Sequence, residues 1–322
     1  KNIENISLKI EREGIEKDLI LKLSEQGFLG AMAQSKHGGS ELDRLSYCSI
    51  LEELASFSPS VAMLVFLYNS IVVRIMGGNS NVLEDISRVF SGSLTMGIGY
   101  AELLEGYTAK QDSGKNPNIR SDVIFPGAER FIVLDETGQN VILTKGKHVD
   151  QNNKKSLGIR GIGVSDIVVD NIGSEKICTR EELVDALDRS GLEIASINLG
   201  IVKGALDKAI EYSKVRTTFG NFLKDYAPVA FSLSGLRAEE ELLRSYIYNE
   251  ENSIKQDLNA LIFSESLAKR ATKQALQTHG GYGYLEDFGV EKFYRDAMTI
   301  SIIAFRGRTD RKRLSNEVFE CN

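Results

Sequence analysis

Apolar residues recur three and four positions apart from Ile15 to Met76, which is the period of amphipathic or buried helices. Ser58 precedes Pro59 within this pattern. A serine N-cap followed by proline at the first helical position is a typical helix start. The pattern predicts an N-terminal all-α domain over residues 1–92.

The period then changes to that of short strands. The segments concerned are rich in β-branched or aromatic residues and are separated by clusters of Gly, Asp and Asn. They are Ser93–Tyr100, Ser121–Phe125, Glu129–Leu134, Asn140–Leu143 and Asp166–Asp170. These segments predict a small middle β-domain over residues 93–176.

The helical period returns at Thr179 and continues to the end of the chain. Two apolar stripes mark long helices, one through Leu192 and Ile197 and one through Leu233 and Leu243. Long consecutive helices joined by short connections favour an antiparallel bundle. We therefore predict a C-terminal α-helical bundle over residues 177–322, with four helices at its core. The predicted fold class is mainly α with a small β-domain.

Composition narrows the classes of partner. The chain is 42% hydrophobic and 26% charged with a net charge of -6 and no lysine-rich block, so no nucleic-acid partner is expected. The three cysteines, Cys48, Cys178 and Cys321, are far apart, which argues against a disulfide framework or a metal site and favours a reducing compartment. We find no signal peptide and no apolar stretch of about 18 residues. These observations lead us to expect a cytoplasmic protein with no membrane partner.

The most distinctive sequence is LQTHGGYGYLEDFGVEKFYRDA, residues Leu276–Ala297. A Gly-Gly pair at a helix end lets backbone amides approach a pyrophosphate, because glycine has no Cβ. An ordinary glycine helix stop would explain Gly280 and Gly281, but it would not explain Gln277 or the YRDA run in the same segment. A second motif, R-x-x-F-G, begins at Arg216. A guanidinium group binds phosphate bidentately.

Together with four further segments in the same order, these motifs resemble the acyl-CoA dehydrogenase family. The four are Gly27–Asp43, Ser58–Ser70, Tyr100–Gly106 with the following ERFIV strand, and Lys155–Ile172. The family's architecture, an N-terminal helical domain, a middle β-domain and a C-terminal four-helix bundle, agrees with the order predicted from periodicity. The resemblance implies FAD as cofactor and an acyl-CoA thioester as substrate.

The resemblance also implies which residues contact FAD. They are Arg216, Phe219, Gln277, Gly280 and Gly281, with Phe131, Ile132 and Val133 beside the isoalloxazine ring. In the family, the arginine of R-x-x-F-G reaches the pyrophosphate of a neighbouring subunit's FAD. Two alternatives remain open: Arg216 is a solvated cation at a helix end, or Phe131 belongs to the core of a β-strand.

The chain departs from the family at the catalytic base. A carboxylate must remove the α-proton of the thioester while a hydride leaves the β-carbon for the flavin. Most members carry a glutamate seven residues after R-D-A, where this chain has Ala304. A minority place the base on the first long helix of the bundle, where Ser190 stands here. Glu193, one turn away, is a substitute candidate, and its alternative is a solvated carboxylate on the helix surface.

Hydroxyl groups that hold flavin and CoA in the family are also missing, since Ala101, Tyr107 and Val133 replace them. The elements that reach a neighbour's cofactor are kept. We therefore expect an FAD-associated oxidoreductase for α,β-desaturation of an acyl-CoA, or the subunit of a heteromeric enzyme that lacks the base. We expect a homo- or hetero-oligomer, either a dimer or a tetramer. An electron acceptor protein is a candidate for a further partner. The alternatives are a catalytically silent structural partner and a flavin monooxygenase on the same scaffold.

Overall fold

The computed structural model describes residues 2–77, 82–99, 118–149, 156–249, 253–303 and 308–319. Over these residues the chain forms helices, then a five-stranded barrel, then helices again. This order confirms the predicted fold class, mainly α with a small β-domain.

The N-terminal helices precede the barrel. Their bounds are α1 Asn2–Glu13, α2 Lys17–Glu25, α3 Arg44–Phe57, α4 Pro59–Phe66, α5 Val73–Met76 and α6 Leu83–Phe90. A π-helical segment, Leu67–Val72, joins α4 to α5. α3 begins after Asp43, whose carboxylate accepts the backbone N–H of Ser46 at 2.9 Å, as an N-cap residue does. α4 begins at Pro59, as the sequence predicts.

The continuous helix Pro59–Met76 corrects one expectation, that the chain has no apolar stretch long enough to cross a membrane. By length and composition this helix is such a candidate, with a mean hydropathy of 1.6. In the fold 89% of it is buried, as in the core helix of a globular domain. Asn69 at its π-helical part accepts the N–H of Met32 and donates to the carbonyl oxygen of Phe28.

The β-domain is a closed barrel. Its strands are β1 Met96–Gly99, β2 Ile119–Ile124, β3 Arg130–Leu134, β4 Asn140–His148 and β5 Val164–Thr179. The order is β1-β2-β5-β4-β3, and the barrel closes because β1 also pairs in parallel with β3. β5 continues to Thr179, beyond residue 176, where the sequence analysis ended the β-domain.

The C-terminal helices follow directly. Their bounds are α7 Arg180–Asp188, α8 Gly191–Val215, α9 Ala227–Ile247, α10 Ile254–His279, α11 Glu291–Ile303 and α12 Arg308–Phe319. The bundle consists of α8 to α11, and α8 packs against both α10 and α3. A Cβ on Gly200 of α8 would lie 2.2 Å from the carbonyl oxygen of Glu52 on α3. Glycine therefore permits the close approach of these two helices.

A small hairpin, β6 Thr217–Thr218 and β7 Asn221–Phe222, follows α8. The expectation that the helical pattern continues unbroken from Thr179 is wrong at this point. The turn places Phe219 at φ +48° and Gly220 at φ +85°. A right-handed helix cannot include these left-handed conformations.

The loop before β5 ties the barrel to α11. The N–H of Gly158 donates to Thr299 Oγ1 at 2.8 Å, and that of Ile159 donates to Asp296 Oδ1 at 2.5 Å. A Cβ on Gly158 would lie 2.3 Å from the carbonyl oxygen of Arg295, so only glycine fits. Ile159 has φ +46°, an unusual conformation for a β-branched residue. The surrounding contacts thus hold this loop against α11.

Candidate functional site

Gln277, Gly280 and Gly281 line one groove of about 580 Å³. It lies between the C-terminal part of α10, the turn that follows, and the first turns of α11. Its other lining residues are Lys273, Leu276, Gly283, Tyr284, Glu291, Tyr294 and Arg295. The structure therefore brings together three of the residues that the sequence assigns to FAD, and we call this site the Gly-Gly groove.

The turn at the end of α10 has the geometry that the motif requires. α10 ends at His279, and Gly280 takes φ +58° with ψ -134°, a conformation open chiefly to glycine. A Cβ added to Gly280 or Gly281 would meet no atom within 4 Å. The backbone here therefore faces open space, which a ligand can approach closely.

Arg216 directly precedes the hairpin and Phe219 lies at its tip, and neither residue lines the Gly-Gly groove. The guanidinium carbon of Arg216 lies 5.6 Å from the ring centre of Tyr282, a residue of the turn after α10. Within the described part of the chain, no carboxylate pairs with this exposed guanidinium. Phe219 is 95% exposed at the tip of the hairpin. The phosphate-binding candidate Arg216 thus stands beside the same turn as the two glycines.

Four large apolar side chains of the bundle, the hairpin and the glycine turn are largely exposed. Val215 ends α8, Phe219 is at the tip of the hairpin, Phe231 is on α9 and Tyr284 ends the glycine turn, and each exposes 73% or more of its surface.

His279 lies beneath the turn and was missed by the sequence analysis. Its ring stacks on Tyr212 with the ring centres 4.3 Å apart, and it is 5% exposed. Nδ1 lies 2.8 Å from the carbonyl oxygen of Ala275, which places the proton on Nδ1. Burial lowers the pKa of His279, with Lys208 acting in the same direction. The available signal was its position directly before Gly280.

Glu193 is completely buried, so the interpretation as a solvated surface carboxylate is wrong. α8 is covered by α3 on one side and α10 on the other. Arg74 Nη2 donates to Oε1 at 2.6 Å, and Arg44 Nη2 donates to Oε2 at 2.7 Å. Arg44 also pairs with Asp257 at 2.8 Å. Both oxygens of Glu193 are therefore held by guanidinium groups, which disfavours it as a base.

Ser190 belongs to the same cluster. Its Oγ donates to the carbonyl oxygen of Ala186 at 2.6 Å and accepts from Arg74 Nη1 at 2.9 Å. The other residues at which the chain departs from the family motifs, Ala101, Tyr107 and Ala304, lie outside the described residues.

Phe131, Ile132 and Val133 expose at most 2% of their surfaces. A Cβ on Gly97 or Gly146 would lie 2.8 or 2.9 Å from the Phe131 ring, so this ring packs against β1 and β4. This packing favours the interpretation of Phe131 as a core residue of the barrel. None of the three lines the Gly-Gly groove.

No group of three or more His, Cys, Asp or Glu side chains in the described ranges could hold a metal ion. The lining of the Gly-Gly groove combines the backbone of Gly280 and Gly281, the carboxamide of Gln277 and the basic side chains of Lys273 and Arg295.

Comparison with known proteins identifies the family of the two helical domains. The acyl-CoA dehydrogenase N-terminal domain matches residues 1–89, and the acyl-CoA dehydrogenase C-terminal domain matches residues 183–314. The caffeyl-CoA reductase-Etf complex subunit CarC of Acetobacterium woodii is 23% identical, and the match covers 91% of this chain and 88% of the relative.

Two solved structures share the fold. Butyryl-CoA dehydrogenase from Megasphaera elsdenii superposes with a TM-score of 0.81 at 23% identity, covering 99% of this chain and 94% of the other. PigA with FAD and proline superposes with a TM-score of 0.81 at 14% identity, covering 98% and 92%.

The helices, the barrel and the bundle together form the acyl-CoA dehydrogenase fold. The two domain matches cover more than half of the residues, and the chain belongs to the acyl-CoA dehydrogenase family. It is an acyl-CoA dehydrogenase-like oxidoreductase, as the sequence predicts.

Proposed function

We propose that this chain is a subunit of an FAD-dependent oxidoreductase that acts on an acyl-CoA thioester, and that its bundle completes the FAD site of a second subunit. The Gly-Gly groove carries this proposal. Gln277, Gly280 and Gly281 line it, and Arg216 stands beside it with no carboxylate partner among the described residues. An anionic ligand supplied by another subunit would meet all four.

The residues present fit a dinucleotide. Open space at the Cα atoms of Gly280 and Gly281 lets a pyrophosphate approach the backbone at the end of α10 closely. Arg216 would bind a phosphate bidentately, and Gln277 would offer its carboxamide to the same ligand. The bound flavin would accept a hydride from the β-carbon of the thioester.

Exposed apolar side chains support the second subunit. Val215, Phe219, Phe231 and Tyr284 are largely in solvent, and burying such side chains stabilises association by about 25 cal/mol per Å² of apolar surface. Closed two-fold dimers, or dimers of dimers, are the expected form.

The residues at the two candidate positions for the catalytic base support a heteromeric arrangement. Glu193 is held by Arg74 and Arg44, and the sequence has alanine at position 304. We propose that a partner subunit supplies the base and that this chain alone has little dehydrogenase activity. The relative CarC is by its name a subunit of an Etf complex, which supports an electron acceptor protein as a further partner.

Absorbance near 450 nm in the purified protein tests the cofactor. The informative variant is Gly281→Val, because a side chain at this position points into open space and leaves the fold intact. We expect Gly281→Val to lose bound FAD without loss of thermal stability. Gly235→Ala, on the exposed face of α9 and equally free of contacts, is the matched control and should keep the colour. A colourless wild-type protein that is a monomer by light scattering would contradict the proposal.

A further inference from the structure

Lys273 is positioned to contact the same ligand as Gln277. The two residues are four positions apart on α10, so they lie on one face of the helix. Both line the Gly-Gly groove, and the glycine turn continues this face at the helix end. Lys273 therefore borders the space in front of Gly280 and Gly281.

The charge of Lys273 is not neutralised within the described part of the chain. The other cation of the groove, Arg295, donates to Glu11 at 2.6 Å and to Glu291 at 3.1 Å. Lys273 is exposed and forms no ion pair there. Its neighbours on α10 are different, because Lys269 pairs with Glu265 and Arg270 pairs with Glu239. The groove thus contains one basic group that is available to an anion.

We propose that Lys273 is a phosphate-binding residue of the Gly-Gly groove and contacts the pyrophosphate of the dinucleotide that a second subunit presents. This inference rests on the proposed function. A lysine ammonium is a compact charge on a flexible stem, so it can follow a phosphate that the more rigid fork of Arg216 orients. Leu276, Tyr284 and Tyr294 supply the apolar part of the same groove.

Reconstitution of the flavin-free oligomer with FAD tests the assignment. We expect Lys273→Ala to raise the Kd for FAD by about 3- to 10-fold, the range for a charged contact that solvent partly screens. Lys273→Arg should restore most of the affinity. Lys269→Ala is the matched control, one turn earlier on the same helix and already paired with Glu265. It should leave the Kd within about twofold of the wild type.

Direct binding of fragments to the flavin-free protein separates a phosphate contact from a general effect on the groove. The Kd for ADP should rise in Lys273→Ala by about the same factor as the Kd for FAD, whereas the Kd for adenosine should be the same for both proteins. If the wild-type protein binds neither FAD nor ADP, both proposals fail. If it binds FAD and Lys273→Ala behaves like Lys269→Ala, only the assignment of Lys273 fails.

Discussion

Arg74 Nη2 donates to Oε1 of Glu193 at 2.6 Å, and this contact joins the N-terminal domain to the bundle. Arg74 lies on α5, and Glu193 lies in the first turn of α8. Nη1 of the same guanidinium donates to the carbonyl oxygens of Ala186 and Arg189, at the end of α7. The guanidinium group of Arg74 therefore binds carbonyl oxygens at the C-terminus of α7. It also pairs with a carboxylate at the N-terminus of α8, where negative charge is favoured.

Glu193→Gln should lower the free energy of unfolding by about 2–4 kcal/mol. Removing one partner of a fully buried ion pair costs about 3–5 kcal/mol, and the two arginines here retain exposures of 19% and 22%, which reduces the loss. Urea unfolding measures the change. Glu53→Gln is the control, because Glu53 is 65% exposed and its ion pair with Lys203 Nζ is long, at 3.9 Å. Equal losses in the two variants would show that the cluster does not stabilise the fold.

The position of Glu193 illustrates what the sequence could not provide. Its arginine partners lie 149 and 119 residues away along the chain, so helical periodicity alone placed it one turn from Ser190 without indicating its burial. The hairpin at Phe219 was missed for a related reason. Two-residue strands leave no periodic signal in the sequence.

The order of domains was predictable because the hydrophobic period changes from helix to strand and back. The Gly-Gly groove was also largely predictable, since Gln277, Gly280 and Gly281 are neighbours in sequence and fold as one helix end. The packing of Phe131 against Gly97 and Gly146 depends on barrel closure, which brings β1 beside β3 and β4 beside β3. No local pattern distinguishes such a core residue from one that faces a ligand.

Gly158→Ala should destabilise the protein by about 1–3 kcal/mol, the usual cost of inserting a methyl group where no space exists. The new Cβ would lie 2.3 Å from the carbonyl oxygen of Arg295, and backbone atoms cannot move aside as a flexible side chain would. Gly127→Ala is the control, because a Cβ there meets nothing within 4 Å. The urea midpoint should fall only for Gly158→Ala, and equal midpoints would contradict the proposed tie between the barrel and α11.

Acidification should weaken the turn after α10 through His279. Burial lowers the pKa of this imidazole from its ordinary value of 6.5, so the unfolded chain takes up the proton first. The contribution of His279 to stability is complete above pH 6.5 and declines as the pH falls below that value.

Unfolding free energies of the wild type and His279→Gln, measured between about pH 5 and 7.5, isolate this contribution, because other titrating groups are common to both proteins. The difference between the two should shrink as the pH falls. A constant difference between the wild type and His279→Gln would contradict the prediction.

Turnover of a saturated acyl-CoA by the isolated chain decides whether the base has been lost or has moved. If position 304 is where a base belongs, Ala304→Glu should raise turnover, because general base catalysis is typically worth about 10²- to 10⁴-fold. Glu193→Gln, compared at equal folded fraction, should leave turnover unchanged, since both oxygens of Glu193 are engaged by Arg74 and Arg44. The opposite result, rapid turnover by the unmodified protein that Glu193→Gln abolishes, would mean that the carboxylate leaves its ion pairs to take the α-proton. The partner subunit would then not be needed for the base.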